Sequence, residues 1–406
     1  MKKEKGDLAD KNMQFYKKRL DGLTILFEKR DLPIISVALA AKFGSAFDSE
    51  KEKGISHFIE HMLLKGTKSR TAKQISESIE SKGGEYNAFT SKTLTAVWMK
   101  LPSKHLKFSI ELLADIFKNS VFDEKETEKE RKAILEEIKM YHDTPNRHVF
   151  EEISKLMYKS PFGISGLGTQ KSVQKISRNE LIKKYKERFS GNFVLVVIGN
   201  AEFKNIIKLA EKLFKKSQKI EENYDIIKIS GNKEEKRKDI DQAHISVGFH
   251  FPSLAEKPRY AAEIFHSIFS SDSSSRIFQE IREKRGLAYA VLGVLEQEKS
   301  HGEEIIYIGT KKEKVYLVKK IILSEFKKMK KLSNKEIEKT KQKLISSRIL
   351  SLEDSRTAML NLLIEEVCKN GEEYYKYEKR IKSVKPDEVR KLAKLEKYSA
   401  FSLIPE

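Results

Sequence analysis

The chain has 406 residues, more than one hydrophobic core usually serves, so two domains of roughly 200 residues each are expected. Hydrophobic residues make up 39% and aromatics 9%, which excludes a disordered chain. The formal net charge is +20, yet lysines alternate with glutamates in EKETEKERKAILEEIK (124–139) and KKLSNKEIEKTKQK (330–343), a solvated helix pattern that gives no ground for a specific nucleic-acid partner.

Strand patterning begins at LTILFEK (23–29) and continues in IISVALAAKF (34–43), with Gly44 opening a loop. A helix is expected from about Ile55 to Lys65, stopping at Gly66, and a second over 71–82, opened by Thr71 and closed by Gly83-Gly84. The alternating stretch EYNAFTSKTLTAVWMKL (85–101) reads as one long strand. A helix near 104–118 follows, then a long one capped by Asp123 that ends at Asp143-Thr144-Pro145. NFVLVVIGN (192–200) has the continuous apolar run of a buried strand, and a helix is expected at about 203–216.

The polar stretch 215–239 contains little that could fill a core and marks a boundary. The expected division is a domain at 1–216, a linker at 217–232 and a second domain at 233–406. The second half repeats the first in outline. ISVGFHFPSLAEKPRYAAEIFHSIF (245–269) lies against ISVALAAKFGSAFDSEKEKGISHFIEHML (35–63), and SAFSLI (399–404) supplies a final strand. The fold class is therefore α+β, a duplicated unit in which each copy is a mixed sheet with helices packed on it.

Cys368 is the sole cysteine, which rules out an internal disulfide and a cysteine-based metal site and suits a cytoplasmic setting. The charged N-terminus lacks the apolar run of a signal sequence, and no stretch of about 18 apolar residues occurs, so no membrane partner is expected.

His57-Phe58-Ile59-Glu60-His61 carries the chemistry. Positions i and i+4 of a helix share a face, so both imidazoles can reach one ion, and Glu60 lies near that face. Zinc takes neutral nitrogen and anionic oxygen ligands, and a catalytic site keeps one position open for water. Nine histidines in 406 residues make about 0.02 chance occurrences of the pattern. The competing reading is two surface histidines beside a carboxylate. A third ligand has to come from elsewhere. Glu130, Ile134, Glu137 and Tyr141 follow the spacing of one helix face, but residue physics alone does not choose Glu137 over Glu136. The second copy has Ala262, Glu263 and His266 on the corresponding helix and no histidine pair, so only the first half is expected to hold a metal.

The chain resembles the pitrilysin, insulinase and mitochondrial processing peptidase family, the inverzincins, and is similar to its half-length branch from about residue 20 onward. The family pattern is HxxEH followed some 76 residues later by a metal-binding glutamate, and position 137 lies at that distance from His61, within AILEEIKMYHDTP. The resemblance implies a Zn2+ ion on His57, His61 and Glu137, with Glu60 activating its water and Glu130 orienting a ligating imidazole. SSRIFQEIREKRGLAYAV (274–291) resembles the family's distal segment and implies that Arg282 and Tyr289 bind substrate and stabilise the oxyanion. GGEYNAFTSKTLTAV (83–97) resembles the edge strand on which relatives add substrate as an extra strand, through backbone near Ala88 and Phe89.

The resemblance further implies a zinc endopeptidase acting on peptides or short unfolded segments, in a homodimer or a heterodimer with a related chain. The alternative from another class is a non-catalytic assembly subunit. FSSDSSSR (269–276) departs from the glycine-rich stretch that relatives often show. Trp98 and Cys368 read as packing residues. His105, His142 and His148 read as surface residues, and His244 and His250 lack a third ligand nearby.

Overall fold

The computed structural model describes residues 2–5, 14–214, 224–394 and 397–406. The chain opens with β1 (Lys2–Lys5), β2 (Gln14–Leu20), β3 (Leu23–Lys29) and β4 (Ile34–Ala41), then α1 (Ile55–Leu63) and α2 (Ala72–Glu80). Next come β5 (Glu85–Thr90), β6 (Thr95–Pro102), α3 (Leu106–Asn119), α4 (Glu124–Asp143) and α5 (Pro145–Met157). Helices α6 (Gln170–Lys175) and α7 (Arg178–Arg188), strand β7 (Phe193–Gly199) and α8 (Phe203–Leu213) follow. The second half runs β8 (Asn232–Arg237), β9 (Ala243–Phe251), α9 (Arg259–Phe269), α10 (Arg276–Phe278), β10 (Ala288–Gln297) and β11 (Gly302–Thr310). It continues with α11 (Val315–Lys328), α12 (Asn334–Ser351), α13 (Ser355–Cys368) and α14 (Glu372–Tyr375). The chain ends with α15 (Tyr377–Ser383), α16 (Pro386–Lys391) and β12 (Ser399–Pro405).

The two sheets repeat one plan. The first has the order β1-β2-β3-β7-β4-β6-β5 and the second β10-β11-β9-β12-β8. Read from the other end, β8-β12-β9-β11-β10 matches β3-β7-β4-β6-β5 strand for strand. In each, the leading pair is parallel, β3 with β7 and β8 with β12. The expected α+β duplication is the architecture observed. The stretch 85–101 is not one strand, however. It is a hairpin, with Ser91 N donating to Leu94 O across the turn. That turn, Ser91-Lys92-Thr93-Leu94, has no glycine, proline or asparagine to mark it.

The compact units do not follow the linear division at 217–232. The first contains residues up to 138 together with 166–224 and 349–376, and the second contains 139–165, 225–348 and 377 onward. Residues 217–223 of the expected linker lie outside the described residues, and 232 already begins strand β8. That strand escapes notice because it is a charged edge, NKEEKR, whose pairing is supplied by β12.

The exchange of segments follows from a sheet having two faces. In the first unit α1, α3 and α8 cover one face, around Val37, Leu39, Val97, Leu195 and Val197. The opposite face, around Leu26, Ala38, Ala40, Val194 and Val196, is covered by Ala358, Met359, Leu362 and Leu363 of α13. In the second unit the equivalent cover against β9 and β12 is α5. Strands β4 and β7 are thus buried on both faces, which explains their unbroken apolar runs.

Polar anchors fix the returning segment to the first sheet. Glu28, fully buried on β3, accepts from Arg30 Nε at 2.6 Å and from the Tyr375 hydroxyl at 2.7 Å. Lys17 donates to Glu366 at 2.6 Å, and Arg30 donates to the Leu352 carbonyl at 2.6 Å. Tyr375→Phe removes one donor from a buried carboxylate and is expected to cost about 1.5–3 kcal/mol in urea unfolding.

Candidate metal centre

Helix α1 divides cleanly by face. Ile55, Phe58, Ile59, Met62 and Leu63 are buried in the first core, while His57, Glu60 and His61 stand half-buried on the other side. The 3.6-residue period forces this split, because five apolar side chains claim the inward arc. On α4, Thr127, Glu130 and Ile134 are buried, and Glu137 continues the same stripe. Glu136 points elsewhere and is exposed. Asp123 caps this helix through Oδ1, which accepts from the backbone of Lys125 and Glu126 at 2.9 and 3.1 Å.

The two helices bring three donor atoms together. His57 Nε2 and His61 Nε2 are 3.3 Å apart, and Glu137 Oε2 is 3.7 Å from the first and 3.6 Å from the second. Ligands at about 2.0–2.1 Å around a tetrahedral zinc lie about 3.4 Å from one another, so the triangle has the size that ion needs. Among the described residues this is the one group of three such side chains close enough to share a metal.

Protonation patterns fit the same purpose. His61 Nδ1 lies 3.1 Å from Glu130 Oε2, and donation from Nδ1–H leaves Nε2 as a lone pair facing the centre. Glu130 Oε1 in turn accepts from Lys65 at 2.7 Å. Burial, aided by the neighbouring His61, pushes His57 down to about 4 and keeps it neutral, as a ligand must be. For His61 burial works against the charge, but the carboxylates of Glu130, Glu137 and Glu60 outweigh it and raise the imidazole to about 9. Two imidazoles and a carboxylate so close together favour a shared cation, whether a proton or a metal.

Glu60 lies beside this triangle, its Oε2 4.0 Å from His57 Nε2. Burial raises its carboxyl to about 7 against the opposing effects of His61 and a hydrogen bond from Thr90. Thr90, at the end of β5, was not singled out from the sequence, and its hydroxyl lies 3.2 Å from that of Thr95 across the hairpin. A cleft of about 460 Å³ adjoins the triangle, lined by Glu60, His61, Leu64, Lys65, Tyr86 and Ala88 among others. One wall is β5, whose outer edge pairs with no strand among the described residues. Ala88 faces this cleft side, whereas Phe89 packs toward the opposite face of the sheet.

The start of α1 is clamped by groups distant in sequence. Asp48 accepts from the backbone of Gly54 at 3.2 Å and Ser56 at 3.3 Å, and from the Ser56 hydroxyl at 2.6 Å. Arg188 of α7 reaches the same carboxylate at 2.8 Å and the Phe47 carbonyl at 3.0 Å. Gly54 has φ +96°, and a Cβ there would stand 2.6 Å from the Leu167 carbonyl. These contacts hold His57 from one turn behind it.

Arg282 and Tyr289 come together in the second unit and take no part in the His–His–Glu triangle of the first. Arg282 sits in a single π turn, Gln279–Glu283. Its guanidinium lies 4.8 Å from the Phe278 ring and 4.7 Å from that of Tyr289, and it donates to the Tyr289 carbonyl at 3.3 Å. Tyr289 is 82% exposed, so the pair is presented outward. Expectations for the other histidines need one correction. His148 is buried, because α5 packs on the second sheet, and its Nε2 lies 3.1 Å from Glu235. His142 is exposed, and His244 and His250 are occupied by the Tyr307 hydroxyl and the Ile229 carbonyl.

Residues 24–170 match the family model described as Insulinase (Peptidase family M16), and residues 175–344 match that of the Peptidase M16 inactive domain. A protein of Rickettsia bellii described as an uncharacterized zinc protease is 34% identical, covering 92% of this chain and 89% of its own. The chain belongs to the insulinase family, peptidase family M16. An uncharacterized zinc protease of Bacillus subtilis is 31% identical over 84% of each chain. The fold is shared with a protease of Helicobacter pylori, TM-score 0.91 at 20% identity, covering 97% of this chain and all of the other. It is also shared with an M16 inactive-domain structure from Pseudomonas fluorescens, TM-score 0.88 at 17% identity over 97% and 98%. The match of the second half to an inactive M16 domain agrees with the absence of a histidine pair on α9.

Lys53 gives the M16 centre a testable pH signature. It is fully buried beside Asp48 and Arg188, and its ammonium donates to the Ser45 carbonyl at 2.6 Å. Burial, with Lys92 and Arg188 nearby, lowers it from 10.5 to about 7. Between those values the unfolded chain binds the proton and the folded chain does not, so this group makes stability rise with pH. In urea unfolding between pH 7.5 and 9.5, wild type is expected to gain up to about 1.4 kcal/mol per pH unit relative to Lys53→Met.

Proposed function

We propose that the chain is a zinc-dependent endopeptidase acting on peptides and short unfolded segments. The observation that carries this reading is the triangle of His57 Nε2, His61 Nε2 and Glu137 Oε2, with edges of 3.3, 3.6 and 3.7 Å. When bound there, zinc supplies Lewis-acid polarisation of the scissile carbonyl and acidifies water. The relatives from Rickettsia bellii and Bacillus subtilis are described as zinc proteases, which supports the same choice of metal.

Each protein group then has a defined task. Glu60 accepts the proton of the attacking water at a carboxylate oxygen and passes it to the leaving amine. Thr90 holds Glu60 in reach of that water, and Glu130 keeps the His61 ring turned. The free edge of β5 takes the substrate as an added strand near Ala88 and Phe89, which selects extended chains with little demand on their side chains. Arg282 and Tyr289 offer donors to the developing oxyanion. Pairing with a second copy or a related chain is part of the proposal.

Glu60→Gln keeps the shape of the site but removes the proton acceptor. Hydrolysis of a quenched fluorescent peptide is expected to fall about 10²–10⁴-fold, with one zinc per chain retained. Full activity in that variant contradicts the assignment.

A further inference from the structure

Residues 311–331 carry an unusual concentration of charge. Nine lysines, at 311, 312, 314, 319, 320, 327, 328, 330 and 331, face only Glu313 and Glu325 in sequence, a net of +7 out of the chain's +20. The stretch contains no arginine. Its centre is α11, whose inward face, Val315, Val318, Ile322 and Phe326, is consumed by the core of the second unit. Its outward face is open.

That face is organised. Tyr316, Lys320, Ser324, Lys327 and Lys331 recur at helical spacing, and all are exposed. Tyr316 is 79% exposed and Leu317 beside it 39%, which places apolar surface among the ammonium groups. Some exposed lysines elsewhere are matched by neighbouring carboxylates, as in Lys73–Glu77, Lys107–Glu111, Lys129–Glu126 and Lys382–Glu378. Here Lys328 is paired with Glu325, and half-buried Lys319 lies near Glu234. The ammonium groups of Lys311, Lys312, Lys314, Lys320, Lys327, Lys330 and Lys331 make no ion pair with any described residue.

We infer that this face of α11 docks the protein reversibly on an anionic lipid surface. A 14-residue helix presents a straight ridge about 21 Å long, suited to a plane of charge. Lysines act as compact, hydrated point charges without directional demands toward such a plane, whereas tight recognition of individual phosphates or bases favours the arginine fork that this stretch lacks. Tyr316 and Leu317 are the residue types that enter the headgroup layer. No helix among the described residues is long and apolar enough to cross a membrane, and a single charged ridge gives peripheral, salt-sensitive attachment.

The test is cosedimentation of the full chain with vesicles of equal phosphatidylglycerol and phosphatidylcholine, against pure phosphatidylcholine. Wild type is expected on the anionic vesicles at low salt, released by about 0.5 M salt, and absent from the neutral ones. Lys320→Ser with Lys327→Ser is expected to lower the partition coefficient about 30-fold, with peptide hydrolysis and thermal unfolding unchanged. Tyr316→Ser with Leu317→Ser is expected to weaken vesicle binding but not retention on a soluble polyanion. Equal binding to both vesicles, wild-type partitioning of the lysine variant, or tighter binding to duplex DNA or polyglutamate at the same ionic strength overturns the inference.

Discussion

Two helices from separate parts of the chain must hold three electron-rich atoms within 3.7 Å of one another, and the first unit is arranged around that constraint. Such a cluster repels itself unless a cation sits in it, so it needs rigid support from behind. The apolar face of α1 supplies part of that support, through Phe58, Ile59, Met62 and Leu63 in the core. The rest comes from Asp48 and Arg188 at the start of α1, and from the Lys65–Glu130–His61 chain that ties α1 to α4. The edge strand β5 lies beside the same cluster, lining the cleft through Tyr86, Asn87 and Ala88.

The duplication shows what the scaffold does without the chemistry. The second unit keeps the strand order and the helix that corresponds to α1, yet α9 presents Glu263 and His266 in place of a histidine pair. His266 Nδ1 is 2.9 Å from Glu304, which is fully buried, and the Ser270 hydroxyl shares the same carboxylate. Glu263 accepts from the Tyr377 hydroxyl at 2.7 Å. These polar groups satisfy one another and leave no set of lone pairs facing a common point. The same framework thus serves packing in one copy and holds the His57–His61–Glu137 cluster in the other.

Much of this was legible in the residues. The HxxEH spacing put both imidazoles on one helix face, and the 130, 134, 137, 141 stripe put carboxylates on a second. Residue physics did not separate Glu137 from exposed Glu136, because adjacent positions differ by about 100° around a helix and sequence does not say where the partner helix crosses. The family spacing pointed to 137, and the packed structure turns that side chain toward His57 and His61. The Asp48–Arg188 clamp joins positions 140 residues apart, each ordinary in its own context. The hairpin turn at 91–94 has no glycine, proline or asparagine and is held instead by the Ser91 hydroxyl, which accepts from the backbone of Thr93 and Leu94, and β8 lacked apolar alternation. The crossing of α5 and α13 to opposite sheets was hidden for a different reason. An amphipathic pattern records that a helix covers something apolar, not which sheet it covers.

Diffraction at the zinc absorption edge, from crystals of the protein grown with zinc, tests the central claim most directly. The account predicts one strong anomalous peak per chain, about 2.0–2.1 Å from Nε2 of His57 and His61 and bonded to an oxygen of Glu137. A peak held by other residues, or none at this triangle at full zinc loading, would contradict it.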